Sequence, residues 1–136
     1  MMVVRTDAPD SLKKALTGAW YEGMMIMSSK NADTDKAIAY MADFAGGSVD
    51  EFKSQLETTA MFYSPEHATA FARGEKIKET MEYVRAFSFD HGLYGDAESK
   101  DFVGIEFSDG TVLGNKDNVK LRFIADYMEK AADGSL

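Results

Sequence analysis

The segment from Leu12 to Met27 constrains the fold most. Leu12, Ala15, Leu16, Ala19, Gly23, Ile26 and Met27 recur at i, i+3, i+4 and i+7, the spacing that lines side chains along one face of an α-helix. Trp20 and Met24 widen the stripe, so the second half of this helix is apolar on most sides. Such a helix needs neighbours on several sides, which predicts a central element in a mainly helical domain. Trp20 is expected as a core anchor; the alternative is an aromatic wall of a small-ligand pocket. The chain has nine methionines, and the Met24–Met27 run fits core packing better than an adaptable surface.

Further helices follow. One is expected from about Asp33 to Ala45, with Ala37, Tyr40, Met41 and Phe44 inward, ended by Gly46-Gly47. Ser48-Val49-Asp50-Glu51 reads as a capping box that opens a third helix on Val49, Phe52 and Leu56. Ser64-Pro65 opens a fourth, because serine caps well and proline fits the first helical position. Ala68, Phe71 and Ala72 face inward and Gly74 stops it. A fifth runs from Glu75 to about Phe87 on Ile77, Met81 and Val84, and Ser88–Lys100 is a loop.

Val103, Ile105 and Phe107 alternate as a strand does, and Asp109-Gly110 then Thr111–Leu113 complete a hairpin. Asn118 is expected to cap a last helix carrying Leu121, Ile124, Met128 and Ala131, ended by Gly134. Met1–Thr6 reads as a strand with no sequential partner, after which a helix opens at Asp7-Ala8-Pro9-Asp10. The fold class predicted is mainly α with a small β component (α+β): five to six helices, one β-hairpin and an N-terminal strand, in a single domain over residues 1–136.

Charge narrows the partners. The formal net charge is −8, with 23 acidic against 15 basic residues. Nucleic acid and anionic membrane are therefore not expected as partners, because phosphate binding needs a basic footprint. No apolar run approaches the length of a bilayer span. The N-terminus lacks the basic-then-apolar pattern of a signal peptide, so expression as given would leave the chain in the cytoplasm. The absence of cysteine excludes disulfides, thiolate metal sites and cysteine nucleophiles.

The reactive side chains form no recognisable constellation. His67 stands in the first turn of a helix and His91 follows Asp90 in a loop; neither has metal-ligand spacing, and Ser88 lies in no nucleophile elbow. Asp33 and Asp35 lack the glycine and terminal glutamate of a calcium loop and read as first-turn acids. Gly104, Gly110 and Gly114 lack the lysine and helix of a phosphate cradle and read as hairpin glycines. No enzyme, cofactor or metal is expected.

The blocks ALTGAWYEGMMIM (Ala15–Met27), TTAMFYSPEHATAF (Thr58–Phe71), EYVRAFSFDHGLYG (Glu82–Gly95) and DFVGIEFSDGTVLGNKDNVKLRFIADYM (Asp101–Met128) resemble the C-terminal part of solute-binding proteins of ABC importers. The class is that of nitrate and taurine, in particular the proteins described as urea transporters. The resemblance runs over nearly the whole chain and corresponds to about the last third of such a protein, without the first lobe. It implies part of a type II periplasmic binding fold, a periplasmic location, a small polar solute as ligand and an ABC permease as partner. Arg5, Thr6 and Asp7 would then contact ligand at a strand end beside a helix N-terminus, with Trp20 as a further contact. The alternative is a stand-alone oligomeric interaction or structural protein derived from that family. On either reading an orphan strand and an apolar helix predict self-association, most simply a two-fold dimer.

Overall fold

The computed structural model describes residues 2–136. It is mainly helical with a small sheet, the α+β class expected. Among the described residues six helices are present: α1 (Asp10–Ser28), α2 (Ala32–Phe44), α3 (Val49–Glu57), α4 (Pro65–Arg73), α5 (Glu75–Asp90) and α6 (Asp126–Asp133). Three short strands, β1 (Gly104–Glu106), β2 (Val112–Gly114) and β3 (Val119–Arg122), form a sheet in the order β2-β1-β3. The chain divides into two compact units, Met1–His67 with Tyr127–Leu136, and Ala68–Asp126.

In the first unit α1 packs on α2 and α2 on α3. Asn31 caps α2 by accepting from the amides of Asp33 and Thr34, and the Thr34 hydroxyl donates to the Ile26 carbonyl at 2.7 Å. One side chain thus completes the start of α2 and ties it to the end of α1. The Ser48–Glu51 capping box predicted for α3 is present in both directions. Tyr127 of α6 donates to Asp10 at 2.9 Å, which fixes α6 beside the start of α1.

The buried faces differ from the expected ones. On α1 the buried residues are Thr17 and Met24, flanked by half-buried Lys13, Tyr21 and Met27. That line is turned roughly a third of a turn from the predicted stripe at the helical period. Leu12, Ala15, Ala19 and Ile26 are exposed. Trp20, expected in the core, keeps 37% of its surface exposed. On α2 the buried line is Thr34, Ile38 and Ala42, while Tyr40 and Phe44, expected inward, face solvent.

In the second unit the core is Ile77, Ile105 and Phe107, with Phe71, Met81, Leu113, Leu121 and Phe123 packed around it. The Phe107 and Phe123 rings stack at 5.7 Å. The Asp109-Gly110 hairpin joins antiparallel β1 and β2, and Gly110 takes φ +81°. Val84 is exposed; Arg85 takes the buried place on α5, and the helix runs three residues beyond Phe87.

Two strand and helix expectations are corrected. Met2–Arg5 has no ladder partner among the described residues, so it is not a strand; a turn at Thr6-Asp7 separates it from α1. Asn118 does not cap the last helix. It ends a 3₁₀ turn, and Val119–Arg122 continues as β3, parallel to β1. Val119, Leu121 and Phe123 alternate with exposed Lys120 and Arg122, a period of two that wins over the helical spacing of Leu121 with Ile124. The last helix begins later, at Asp126, and Gly134 with φ +77° follows it as predicted.

Candidate functional site

The residues singled out at the N-terminus meet at one turn. The Arg5 guanidinium donates through Nε and Nη2 to both Asp7 oxygens, at 2.8 and 2.7 Å. The pairing holds Asp7 below its ordinary range and Arg5 above its own. Thr6 takes part through its carbonyl, which accepts from Lys13 Nζ at 2.8 Å. Both members of the Arg5–Asp7 pair are largely exposed, so solvent screens it.

The turn lies against the start of α1. Pro9 occupies the N-cap position, and no side chain caps the helix there, because proline offers no acceptor. Its carbonyl accepts from the Leu12 and Lys13 amides, so the first-turn N–H groups ahead of these point away from the helix without a capping side chain. Such groups and the adjoining Arg5 and Lys13 suit a polar or anionic acceptor. Asp7 and Asp10 oppose an anion and favour a neutral polar group or one carrying donors of its own. Asp10 is held below its ordinary range by Tyr127 and then Lys14.

Trp20 is not part of this turn. It lies seven residues along α1 from Lys13, about 10 Å by the helical rise. The structure brings Arg5, Thr6 and Asp7 together and leaves Trp20 apart.

A second polar cluster lies in the other unit and was not anticipated. Arg85 is 4% exposed. Its guanidinium donates to Glu82 Oε2 and Asp101 Oδ1, each at 2.5 Å, and Lys100 pairs with the other Glu82 oxygen. The pairs outweigh the burial that opposes its charge and raise the Arg85 pKa. Lys100, then Arg85, hold Glu82 below the carboxylate range. Every charge here is met, so the cluster joins α5 to the segment before β1 rather than offering a reactive group. The spacing Glu82 to Arg85, one turn apart on the helix, is its only sequence signal.

The third feature is a shallow depression of about 160 Å³ lined by Ala72, Arg73, Lys78, Phe107, Ser108 and Asp109. Lys78 bonds Asp109 at 2.7 Å and Glu75 at 3.0 Å. Ser108 donates to the Phe123 carbonyl, which leaves this wall of the depression internally satisfied. His91 stacks on Phe87 with ring centroids 3.9 Å apart and bonds its carbonyl through Nδ1. Among the described residues no three His, Cys, Asp or Glu side chains converge as metal ligands, and no helix is long and apolar enough to cross a membrane.

No family model, curated protein or solved structure matches the chain.

Proposed function

We propose that the chain is a small-molecule-binding element corresponding to the C-terminal part of an importer solute-binding protein of the nitrate/taurine class, and that its ligand is a small polar solute. The observation that carries the reading is the Arg5–Thr6–Asp7 turn beside the uncapped start of α1. A guanidinium and a carboxylate that could exchange each other for a ligand, beside a helix start with no side-chain cap, suit a compact solute with both donors and acceptors, such as urea or an amide. The apolar Met2–Val4 stretch leading into the turn supports the same reading, since in a two-lobe binding protein a crossover segment returns at such a place. A periplasmic location and a permease partner belong to this proposal.

The test is a thermal-shift screen against urea, amides, amines, sulfonates and small anions. Binding to the native state adds about 2.7 kcal/mol at a hundredfold excess over Kd. A shift from one class that disappears in Arg5→Ala and Asp7→Ala supports the proposal. No shift from any class, or a shift that both variants retain, refutes it.

A second reading has its own observation. The apolar residues Leu12, Ala15, Ala19 and Ile26 of α1 face solvent, which favours a self-associating interaction protein.

A further inference from the structure

The dipeptide Asp-Gly occurs twice in the chain, at Asp109-Gly110 and at Asp133-Gly134. An aspartate before glycine carries a latent reaction of its own. The backbone nitrogen of the glycine attacks the aspartate Cγ, a carboxyl oxygen leaves as water, and a succinimide ring closes. Water then reopens the ring at either carbonyl. One product is the original aspartate. The other is isoaspartate, whose main chain runs through the β carbon and is one methylene longer. One water is lost and one regained, so the sum is an isomerisation with nothing oxidised or reduced. Glycine favours it because no Cβ shields the attacking nitrogen. The carboxyl must be protonated for its oxygen to leave, and Cγ must turn toward that nitrogen.

The two sites differ in what holds the reacting atoms. At the hairpin both Asp109 oxygens are engaged. Oδ2 accepts from Lys78 Nζ at 2.7 Å, and Oδ1 accepts from the Thr111 amide at 3.0 Å and the Thr111 hydroxyl at 2.7 Å. The attacking nitrogen is engaged as well, since the Gly110 N–H donates to the Phe107 carbonyl at 2.9 Å. Lys78 is itself fixed by Glu75, one turn back on α5. Its ammonium keeps the Asp109 carboxylate ionised, which is the unreactive form. Asp133 ends α6, and its carboxylate accepts from the Ser135 amide at 2.9 Å. Among the described residues no cation bonds it, and Lys130 acts on it only through space.

We propose that Lys78 guards the Asp109-Gly110 bond against isomerisation, and that the folded chain forms isoaspartate at Asp133-Gly134 instead. The consequences of the two modifications differ in the same sense. A methylene added at position 109 lengthens the turn that the Phe107 amide and Thr111 carbonyl close at 2.9 Å. It displaces Phe107, a core residue stacked on Phe123. A methylene added at position 133 falls where α6 ends and enters no ladder.

The test ages the full chain at neutral pH in water enriched in oxygen-18, in native buffer and in denaturing urea. Each ring opening places one heavy oxygen in the product. Peptide mapping by mass spectrometry therefore counts turnover at each site, and chromatography separates isoaspartate from aspartate. In urea the two sites should label at similar rates. In native buffer Asp109 should label at least about tenfold more slowly than Asp133, the ratio that about 1.4 kcal/mol of local opening imposes. Lys78→Met keeps the stem and removes the charge; it should raise the Asp109 rate several-fold and leave the Asp133 rate unchanged. Lys78→Arg restores a cation and should hold the Asp109 rate down. Circular dichroism shows that each variant folds. Concentrated salt screens the Lys78–Asp109 pair in the parent chain and should raise Asp109 relative to Asp133 without any substitution. Equal native rates at the two sites overturn the proposal. A slow Asp109 rate that neither a folded Lys78→Met nor salt raises also overturns it, because the backbone bonds of the turn then protect the site alone.

Discussion

Gly104 and Gly114 stand opposite each other across β1 and β2, and neither position has room for a side chain. A Cβ on Gly104 would overlap the Asn115 carbonyl oxygen. A Cβ on Gly114 would overlap the Val103 carbonyl oxygen and come within 2.7 Å of Arg85 Nη1. Gly114 also takes φ +83°, the left-handed region that glycine alone enters freely. The missing side chains let the hairpin lie against the buried guanidinium.

Gly104→Ala and Gly114→Ala are therefore expected to destabilise the fold by about 2 kcal/mol or more, since the obstructing atoms are backbone that cannot rotate away. Gly110→Ala should cost only about 1 kcal/mol, because its φ of +81° is strained for alanine but no atom lies within 4 Å. Urea unfolding of the three variants checks the order. Equal losses at Gly110 and Gly114 would mean that backbone strain, not close approach, sets the cost.

Arg85 should be a sensitive position on α5 beside the core residue Ile77. Arg85→Ala removes a buried stem and leaves Glu82 and Asp101 without their shared cation. Both carboxylates keep access to water, so the loss should be about 2 kcal/mol rather than the 3–5 kcal/mol of a fully buried broken pair. Arg85→Lys should recover little, because an ammonium cannot serve two carboxylates with the geometry of the guanidinium fork. The measurement is the melting temperature of the two variants beside the parent, and a wild-type value for Arg85→Lys would show that charge alone suffices.

How much of this was legible in the sequence follows from the kind of signal each element carries. Caps and turns are local, so Ser48 with Glu51, Ser64 before Pro65, Gly74 and Asp109-Gly110 marked their elements correctly. The face a helix buries is set by its neighbours, and α1 shows the consequence. Much of its most apolar stripe is exposed, while Thr17 is buried with its hydroxyl satisfied by the Lys13 carbonyl one turn back. β3 was hidden because Leu121 fits a helical spacing with Ile124 as well as an alternation with Val119 and Phe123. Parallel pairing with β1 decides between them, and sequence spacing does not report it. At the candidate site the sequence placed Arg5, Thr6 and Asp7 together, as neighbours must be. It gave no sign that Arg5 and Asp7 satisfy each other, or that Arg85 lies buried.

Stability should fall on acidification from two particular pairs. Glu82 is held below its ordinary 4.5 by Lys100 and then Arg85. Asp109 is held well below its ordinary 3.8 by Lys78, with Thr111 adding bonds. Both carboxylates have a lower pKa folded than unfolded. Each therefore contributes stability that is complete above its unfolded value and is lost as pH falls toward its folded value. The decline should start below about pH 5 and continue beneath the ordinary carboxylate range. Glu82→Gln and Asp109→Asn should each flatten that decline while lowering the neutral-pH plateau. Urea midpoints measured from neutral pH to about pH 3 test this. A slope that neither variant changes would assign the acid sensitivity to other carboxylates.

Lys30 offers the opposite test, a substitution expected to stabilise. Among the described residues it is the non-glycine residue with positive φ, at +51°, in the turn between α1 and α2. Left-handed backbone costs an L-residue roughly 1–2 kcal/mol, and glycine avoids it. The unfolded chain gains freedom with glycine, which offsets part of that saving. Among the described residues no ion pair or hydrogen bond anchors the Lys30 side chain in the folded state. Lys30→Gly should therefore be stabilising by about 0.5–1 kcal/mol, and Lys30→Asn by less, since asparagine enters this region more readily than lysine. Lys30→Val should be destabilising, because a β-branched side chain tolerates positive φ worst. The three variants share one solvent-facing position, so the order of their melting temperatures isolates the backbone contribution. If Lys30→Gly melts below the parent, unfolded-state entropy outweighs the strain and the turn is less constrained than its dihedral implies.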